Sequence, residues 1–325
     1  MAMNGKDTDL VSVLVLSYNN GDLIFDTLTS IINQTYPHIE IIVSDDHSEC
    51  FDRERVITWL TEHSGSNIER FVVNVNDTNQ GTVRNAENAL AMAKGNIITQ
   101  IAADDEYYSP TVFEIFVGHL NELGEDARFI TGQTRMMDAE LKKVLYDFVS
   151  ESDKKTIMES DPSELFERSS SRCFIPACSF WRNGLQDTIG PLSDRYRLID
   201  DYTKTLRMSR MGVRIHYLDE NLMNHRDGGV SHGNRKGSNE TYRLYLKDFV
   251  ETYRHEIIPY MDEFSPKTVE EVLRTYSMWL RKYENASDGN ENGSDNLLTR
   301  AVKAVLLRII DVSNRIYDAV SSKNR

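Results

Sequence analysis

Carboxylates gather where apolar runs stop. The mostly apolar run from Ile97 to Ala103 ends in Asp104, Asp105 and Glu106, and the run from Ile39 to Val43 ends in Ser44, Asp45 and Asp46. Adjacent carboxylates suit Mg²⁺ or Mn²⁺, which takes one or two oxygens from protein and the rest from water and phosphate. That is the chemistry a bound diphosphate requires. A solvated turn uses the same residues, so the pair at 104–105 does not decide the matter alone. A carboxylate at 45–46 can accept an N–H from a pyrimidine, or it can cap a helix over 52–63. Tyr18 follows a third apolar run, 10–16, and could stack on a base or simply pack. Arg84 falls in the first turn of a predicted helix, where a cation is disfavoured, so it faces either solvent or an anion.

The elements that place these residues follow from periodicity. LVSVLVL (10–16) reads as a strand buried on both faces. Leu23, Leu28, Ile31 and Ile32 mark one side of the helix that follows it. Strand Ile39–Val43, a helix over 52–63, strand ERFVVNV and helix GTVRNAENALAMAKG come next. In that helix Val83, Ala86, Leu90 and Ala93 share a face, and Gly95 is expected as the C-cap. NIITQIA is the fourth strand. Strict alternation over 10–122 predicts an α/β fold with a mostly parallel sheet between helices. Ligands of such sheets bind beyond the carboxyl ends of the strands. The polar groups SYN, DD and DD lie at three of those ends, while the opposite ends are less acidic. That asymmetry favours a site.

Past residue 123 the alternation breaks. ARFITGQTRMM, KKVLYDFV, CFIPACSFW and VRIHYLD read as strands. Asp161 caps a short helix with Pro162 at its first position, and DDYTKTLRMSRMG reads as a helix closing on Gly212. NHRDGGVSHGNRKGSN reads as a mobile loop able to act as a lid. Residues 240–263 and 266–283 read as helices, 284–296 as a polar linker, and 297–320 as a separate amphipathic helix with basic residues. Trp181 either stacks on a sugar or packs in the core; the core is the expectation.

A formal net charge of −14 over 325 residues argues against nucleic acid as the main partner. The three cysteines, Cys50, Cys173 and Cys178, match no metal or redox spacing, and reduced thiols of a cytosolic protein are expected. The first ten residues carry no secretory pattern, and no apolar run reaches the ~20 residues that span a membrane.

VSVLVLSYNN, SIINQTYPHIEIIVSDDHS and NQGTVRNAENALAMAKGNIITQIAADDEYYSP together resemble the family 2 glycosyltransferases with the Rossmann-like GT-A fold. IGPLSDRYRLIDDYTKTLRMSRMG resembles the acceptor-side acidic motif of that family. The resemblance implies a GT-A domain over 1–235. Its donor half would be 10–122 and its acceptor half 123–235, with a helical C-terminal extension (236–283) beyond. It implies Leu16 and Tyr18 against the base and ribose, Asp46 on the uracil, and Arg84 near the nucleotide. Asp104 would contact the ribose or a metal-bound water, and Asp105 would ligate Mn²⁺ or Mg²⁺. Asp201 would be the catalytic base, with Asp200 at the first position of its motif. His225 or His232 would meet the diphosphate or complete the metal shell, or stay exposed in a flexible loop. Two departures stand out. Ala102 replaces the first acid of the usual Asp-x-Asp-Asp pattern, and Asp200 replaces the usual Glu, which leaves the base open between Asp200 and Asp201.

The expected function is inverting, metal-dependent transfer from a nucleotide sugar, UDP-linked by expectation, to a glycan or lipid-linked acceptor in bacterial surface polysaccharide synthesis. The alternatives are a nucleotidyltransferase, which would carry a Gly-rich basic loop that SYNNGDLIFD lacks, and a non-catalytic nucleotide-sugar-binding module. Residues 297–320 have two readings: contact with the inner face of the cell membrane, or packing, including in a homo-oligomer.

Overall fold

The computed structural model describes residues 9–193, 195–228 and 239–288. The first half is a repeated strand–helix unit. Strands β1 (Val11–Ser17), β2 (Ile39–Asp45), β3 (Ile68–Val75) and β4 (Ile97–Ala102) alternate with helices α1 (Ile24–Ile32), α2 (Arg53–His63) and α3 (Thr82–Met92). All four strands are parallel, in spatial order β3-β2-β1-β4. Every residue of β1 and β2 is buried, as helices on both faces require.

One buried residue of β2 is an acid. Glu40 is fully buried, and it accepts bonds from the Ser12 hydroxyl, the Lys94 and Gly95 amides and the Arg70 guanidinium. Gly95 was expected to cap α3, but Ala93 holds that position. A Cβ on Gly95 would meet the Leu10 carbonyl oxygen and lie 2.7 Å from the Ser12 nitrogen. Glycine is needed here for close backbone approach, not for a left-handed cap.

The second half completes a nine-stranded sheet. β5 (Glu106–Tyr107), α4 (Val112–Glu122), β6 (Phe129–Met137), β7 (Val144–Asp147), α5 (Glu151–Glu159), α6 (Pro162–Ser169), β8 (Ser179–Arg182), α7 (Leu185–Ile189), α8 (Asp201–Arg210) and β9 (Ile215–Arg226) follow in the chain. Beyond β4 the sheet continues as β8-β6-β9-β5, with β7 against β6. β8 is antiparallel to β4 and β6, whereas β9 runs parallel to β6 and antiparallel to β5. The result is a mostly parallel, Rossmann-like α/β architecture. Asp161 caps α6 as expected, accepting from the Glu164 amide.

Several boundaries differ from the sequence reading. In CFIPACSFW only Ser179–Arg182 and its flank form strand. β9 continues past Asp219 to Arg226, so Asn224, His225 and Arg226 belong to a strand rather than a loop. β6 pairs with it through register shifts that sequence alternation does not reveal. The helix predicted over 240–263 ends as α9 (Asn239–Thr252), then continues as a wide turn (Tyr253–Ile257) and a 3-10 segment (Ile258–Glu263). α10 (Pro266–Asp288) runs into the stretch read as a linker. Residues 229–238, which include His232, and the helix predicted over 297–320 lie outside the described residues.

α9 and α10 pack on α6 and α8. Phe166, Ile199, Tyr202, Leu206, Val250, Tyr253, Ile257, Val272, Tyr276 and Leu280 form one buried cluster. No helix among the described residues is long and apolar enough to cross a membrane.

Candidate active site

The carboxyl ends of β2, β1 and β4 lie side by side. Ser17 pairs with Asp45, and Leu16 with Ala102. Tyr18, Asp46 and Ala103–Asp105 therefore emerge together from one edge. Leu16 is buried and Tyr18 is 49% exposed, a ring standing free at the mouth.

The two acids after β2 have separate duties. Asp45 accepts from the amide and hydroxyl of Ser48 and so closes the turn that leaves the strand. The cap of α2 is Asp52 instead. Asp46 is buried and accepts from the Asn76 side chain and the amides of Gln80 and Gly81. It anchors the loop between β3 and α3 directly beside β2. Arg84, one turn into α3, is exposed and lies 3.4 Å from Glu87.

Asp104 and Asp105 do not form a solvated turn. Asp105 is only 2% exposed. Its carboxylate accepts from the Arg226 amide (2.8 Å) and pairs with His225 Nδ1 (2.9 Å). The short pairing of β5 with β9 creates this contact, because Glu106 lies opposite Asn224. Arg226 extends the arrangement. Its guanidinium donates to the Asp104 carbonyl (2.7 Å), the Ala139 carbonyl (2.7 Å) and the Asp26 carboxylate of α1 (3.0 Å). The Thr27 hydroxyl holds the Asp105 carbonyl at 2.6 Å. Burial and the adjacent Asp105 push the Asp104 carboxyl up to about 6. Burial opposes a charge on His225, but the hydrogen bond to Asp105 and the surrounding acids raise its pKa.

This donor set fits a hard divalent cation. Two carboxylates meet the protein share that Mg²⁺ or Mn²⁺ usually takes, and an imidazole adjoins them. Asp104, whose proton affinity is raised by burial and by the adjacent Asp105, is also a group that a cation would stabilise in ionised form. No cluster of three or more metal-binding side chains is preformed among the described residues. Water and phosphate would complete the shell.

The second acid pair opens α8. Asp200 is 8% exposed, and its Oδ2 accepts from Gln100 Nε2 of β4 at 2.9 Å. Lys204 Nζ, one turn on, lies 3.6 Å from the same oxygen. Asp201 begins the helix proper; burial and the neighbouring Asp200 push its carboxyl up to about 6. β4 thus serves both pairs, since Gln100 grips Asp200 two residues before the strand ends and Asp104–Asp105 follow. Cys178 sits between them: its thiol contacts the Gln100 carbonyl, and its titration feels both Asp105 and Lys204. Trp181 is buried at 5% exposure in the sheet, so packing is its role.

Three groups not singled out in the sequence hold the segment before α8. Glu87 of α3 accepts from the amides of Leu192 and Ser193. Asp248 of α9 accepts from the amides of Arg197, Leu198 and Ile199. Arg197 reaches back to Asn79, and its carbonyl accepts from the Val83 amide. Gly81 (φ +88°) adjoins it so closely that a Cβ would lie 2.5 Å from the Arg197 carbonyl oxygen. None of the three carries a local sequence signal, because each partner is 49 to 118 residues away.

The mostly parallel sheet between helices is the fold of the solved GT-A glycosyltransferases. The sequence profile described as "Glycosyl transferase family 2" matches residues 12–176, about half of the chain. The chain belongs to glycosyl transferase family 2. WcaA of Escherichia coli K12, named for glycosyl transfer in colanic acid biosynthesis, is 29% identical over 119 residues, 36% of this chain and 40% of that protein. WfaP of Escherichia coli is named a UDP-Glc:α-D-GlcNAc-diphosphoundecaprenol β-1,3-glucosyltransferase. It is 31% identical over 104 residues, 32% of this chain and 39% of WfaP. The matched stretch thus spans about two fifths of these relatives. The solved mannosyltransferase of Pyrobaculum calidifontis, in complex with GDP-Man and Mn²⁺, superposes with a TM-score of 0.57 at 16% identity. The match covers 94% of this chain and 81% of that one, and shows a shared fold.

Proposed function

We propose that this chain transfers a sugar from a nucleoside-diphosphate sugar to a hydroxyl of a glycan or lipid-linked acceptor, with inversion at the anomeric carbon. The observation that carries the reading is the meeting of two acid pairs on β4, one at its end and one over Gln100. Leu16 and Tyr18 would line the base and ribose. Asp46, besides anchoring the 76–81 loop, would meet the base, and Arg84 would approach the nucleotide. Asp104 and Asp105, with His225 beside them, would hold Mn²⁺ or Mg²⁺, which supplies Lewis-acid neutralisation of a departing diphosphate. Arg226 holds the Asp105 carboxylate through its amide and the Asp104 carbonyl through its guanidinium.

Asp201 is the better base of its pair. Asp200 is tied down by Gln100 and Lys204, whereas Asp201 has a carboxyl pushed up to about 6 and so can take a proton near neutral pH. It would remove the acceptor's proton as the hydroxyl attacks an oxocarbenium-like carbon from the face opposite the leaving group. One base without a carboxylate nucleophile gives inversion. WfaP is named for an undecaprenol-linked acceptor and WcaA for a surface polysaccharide, which supports bacterial envelope glycan synthesis as the setting. Peripheral membrane contact through residues 297–320 belongs to the same reading.

The test is a thermal-shift panel of UDP-glucose, UDP-N-acetylglucosamine and GDP-mannose with Mn²⁺, followed by donor turnover. A binding donor raises Tm by mass action. Asp105→Ala should abolish turnover and weaken the Mn²⁺-dependent shift. Unchanged turnover in that variant would reject the site.

A further inference from the structure

Lys204 is an unusual residue to find on the inner side of α8. Its side chain is only 12% exposed. Its ammonium lies 4.6 Å from the Trp181 ring centroid, a cation–π contact, and 3.6 Å from Asp200 Oδ2. Gln100 donates to that same oxygen at 2.9 Å. Trp181 is fixed by β8 between its neighbours in the sheet, and Gln100 is fixed by β4. The ammonium is therefore held on two rigid strands and one helix. A cavity of about 30 Å³ lies against Gln100, Trp181, Asp200 and Lys204, with Glu87 of α3 on its far wall. It is large enough for a single water.

This geometry treats the two acids of the pair differently. The Asp200 carboxylate turns inward under α8, where a cation and an amide compensate it. Asp201, the next residue, shows no side-chain partner of that kind. It is bordered instead by groups that carry no charge near neutral pH, Cys173 and Tyr245 of α9, both with titration raised by burial first and by Asp201 after it. The charged neighbours of Asp201 are Asp200, which raises its proton affinity, and Lys204, which lowers it.

We propose that Lys204 is a positioning residue that locks Asp200 inward as a neutralised, non-transferring acid, so that Asp201 alone faces the acceptor. The proposal rests on the transferase reading above. Lys204 touches neither donor nor acceptor in it; its effect passes chiefly through Asp200, beside the weaker direct field it exerts on Asp201. A buried carboxylate that loses its neighbouring cation must either bind a proton or reorient. Either response changes the field at the base one residue away.

The experiment is a double-mutant cycle of Lys204→Met and Asp200→Asn, with Lys204→Arg as the conservative variant. It reads diphosphate release from whichever of the three panel donors the wild-type chain turns over. Lys204→Met is expected to lower kcat about tenfold with donor KM unchanged, and to move the acid limb of kcat/KM to higher pH. The sign follows from the pair as a unit: removing a cation makes two coupled carboxylates bind their protons more tightly. In the Asp200→Asn background the same substitution is expected to cost less than about twofold, because no charge is left to compensate. Lys204→Arg is expected to keep most of the activity and the wild-type limb. The double variant replaces the ion pair by neutral groups, so the cycle is readable even if Lys204→Met alone folds poorly. Equal losses in both backgrounds would overturn the proposal, as would a lower Tm with kcat and the acid limb unmoved. If the wild-type chain turns over none of the donors, the transferase reading fails and this one falls with it. If it does turn over and only the cycle disagrees, the failure belongs to Lys204 alone.

Discussion

At the scale of residues, the proposed base is an acid the fold would be more stable without. Asp201 is held at about 6, against 3.8 for a free carboxyl, by burial and by Asp200. The stability this acid supplies is fully present below about pH 3.8 and is lost as pH rises through 6, because the folded chain then carries a poorly solvated charge. Asp201→Asn should therefore raise stability at pH 7.5 by roughly 1–2 kcal/mol. That gain should shrink toward zero as pH falls to 4, followed by thermal denaturation. The same variant should bind UDP as wild type does yet lose transfer, and wild-type transfer should itself decline below about pH 6. Normal turnover by Asp201→Asn would move the base elsewhere. The acids at 45–46 and 104–105 were legible in the sequence because each pair closes a mostly apolar run, whereas Asp200–Asp201 follow the mostly polar stretch SDRYRLI and came from the family resemblance alone. Arg226 and Lys204 were not: a lone cation takes its meaning from a partner that only the fold supplies.

At the scale of elements, the strands did most of the positioning. β1 to β4 and their helices could be read from periodicity, most plainly β1 and β2, which are buried throughout. Of β9 only the start, within VRIHYLD, could be read, because Asp219, Glu220 and Asn221 interrupt its pattern and its pairing with β6 shifts register. Its last three residues nonetheless place His225 and Arg226 against Asp104–Asp105. Arg226→Met should cost about 3 kcal/mol in urea denaturation by orphaning two carbonyls and Asp26. It should also weaken Mn²⁺-dependent nucleotide binding, whereas Arg226→Lys should restore only part of either. At the other end of the sheet, Gly95→Ala should destabilise by about 2–4 kcal/mol without touching the site. A wild-type melting curve for that variant would mean that the β1–β4 contact can relax.

At the scale of the whole molecule, the C-terminal helices are part of the same core as α6 and α8. α9 and α10 cover Phe166, Ile199, Tyr202 and Leu206, and Glu256 binds Arg207, Arg210 and Tyr196 from below. A chain ending at residue 238 would bare these aromatics and leave the amides of 197–199 without Asp248. It should be recovered as an aggregating, dye-binding species rather than a smaller transferase; a monodisperse, cooperatively melting fragment would show otherwise. The sequence marked 236–283 as helical but did not show what it covers, because amphipathic spacing identifies a buried face and not its partner. The Gly81–Arg197 contact carries a different consequence, for recombination. The loop leaving β3 and the segment entering α8 interlock with no space for one added carbon, although they lie more than a hundred residues apart. Exchanging acceptor halves among relatives to change specificity would thus succeed only when the donor-side residues 79–81 travel with the 190–201 segment. A crossover placed between them would join two surfaces that were never fitted to each other.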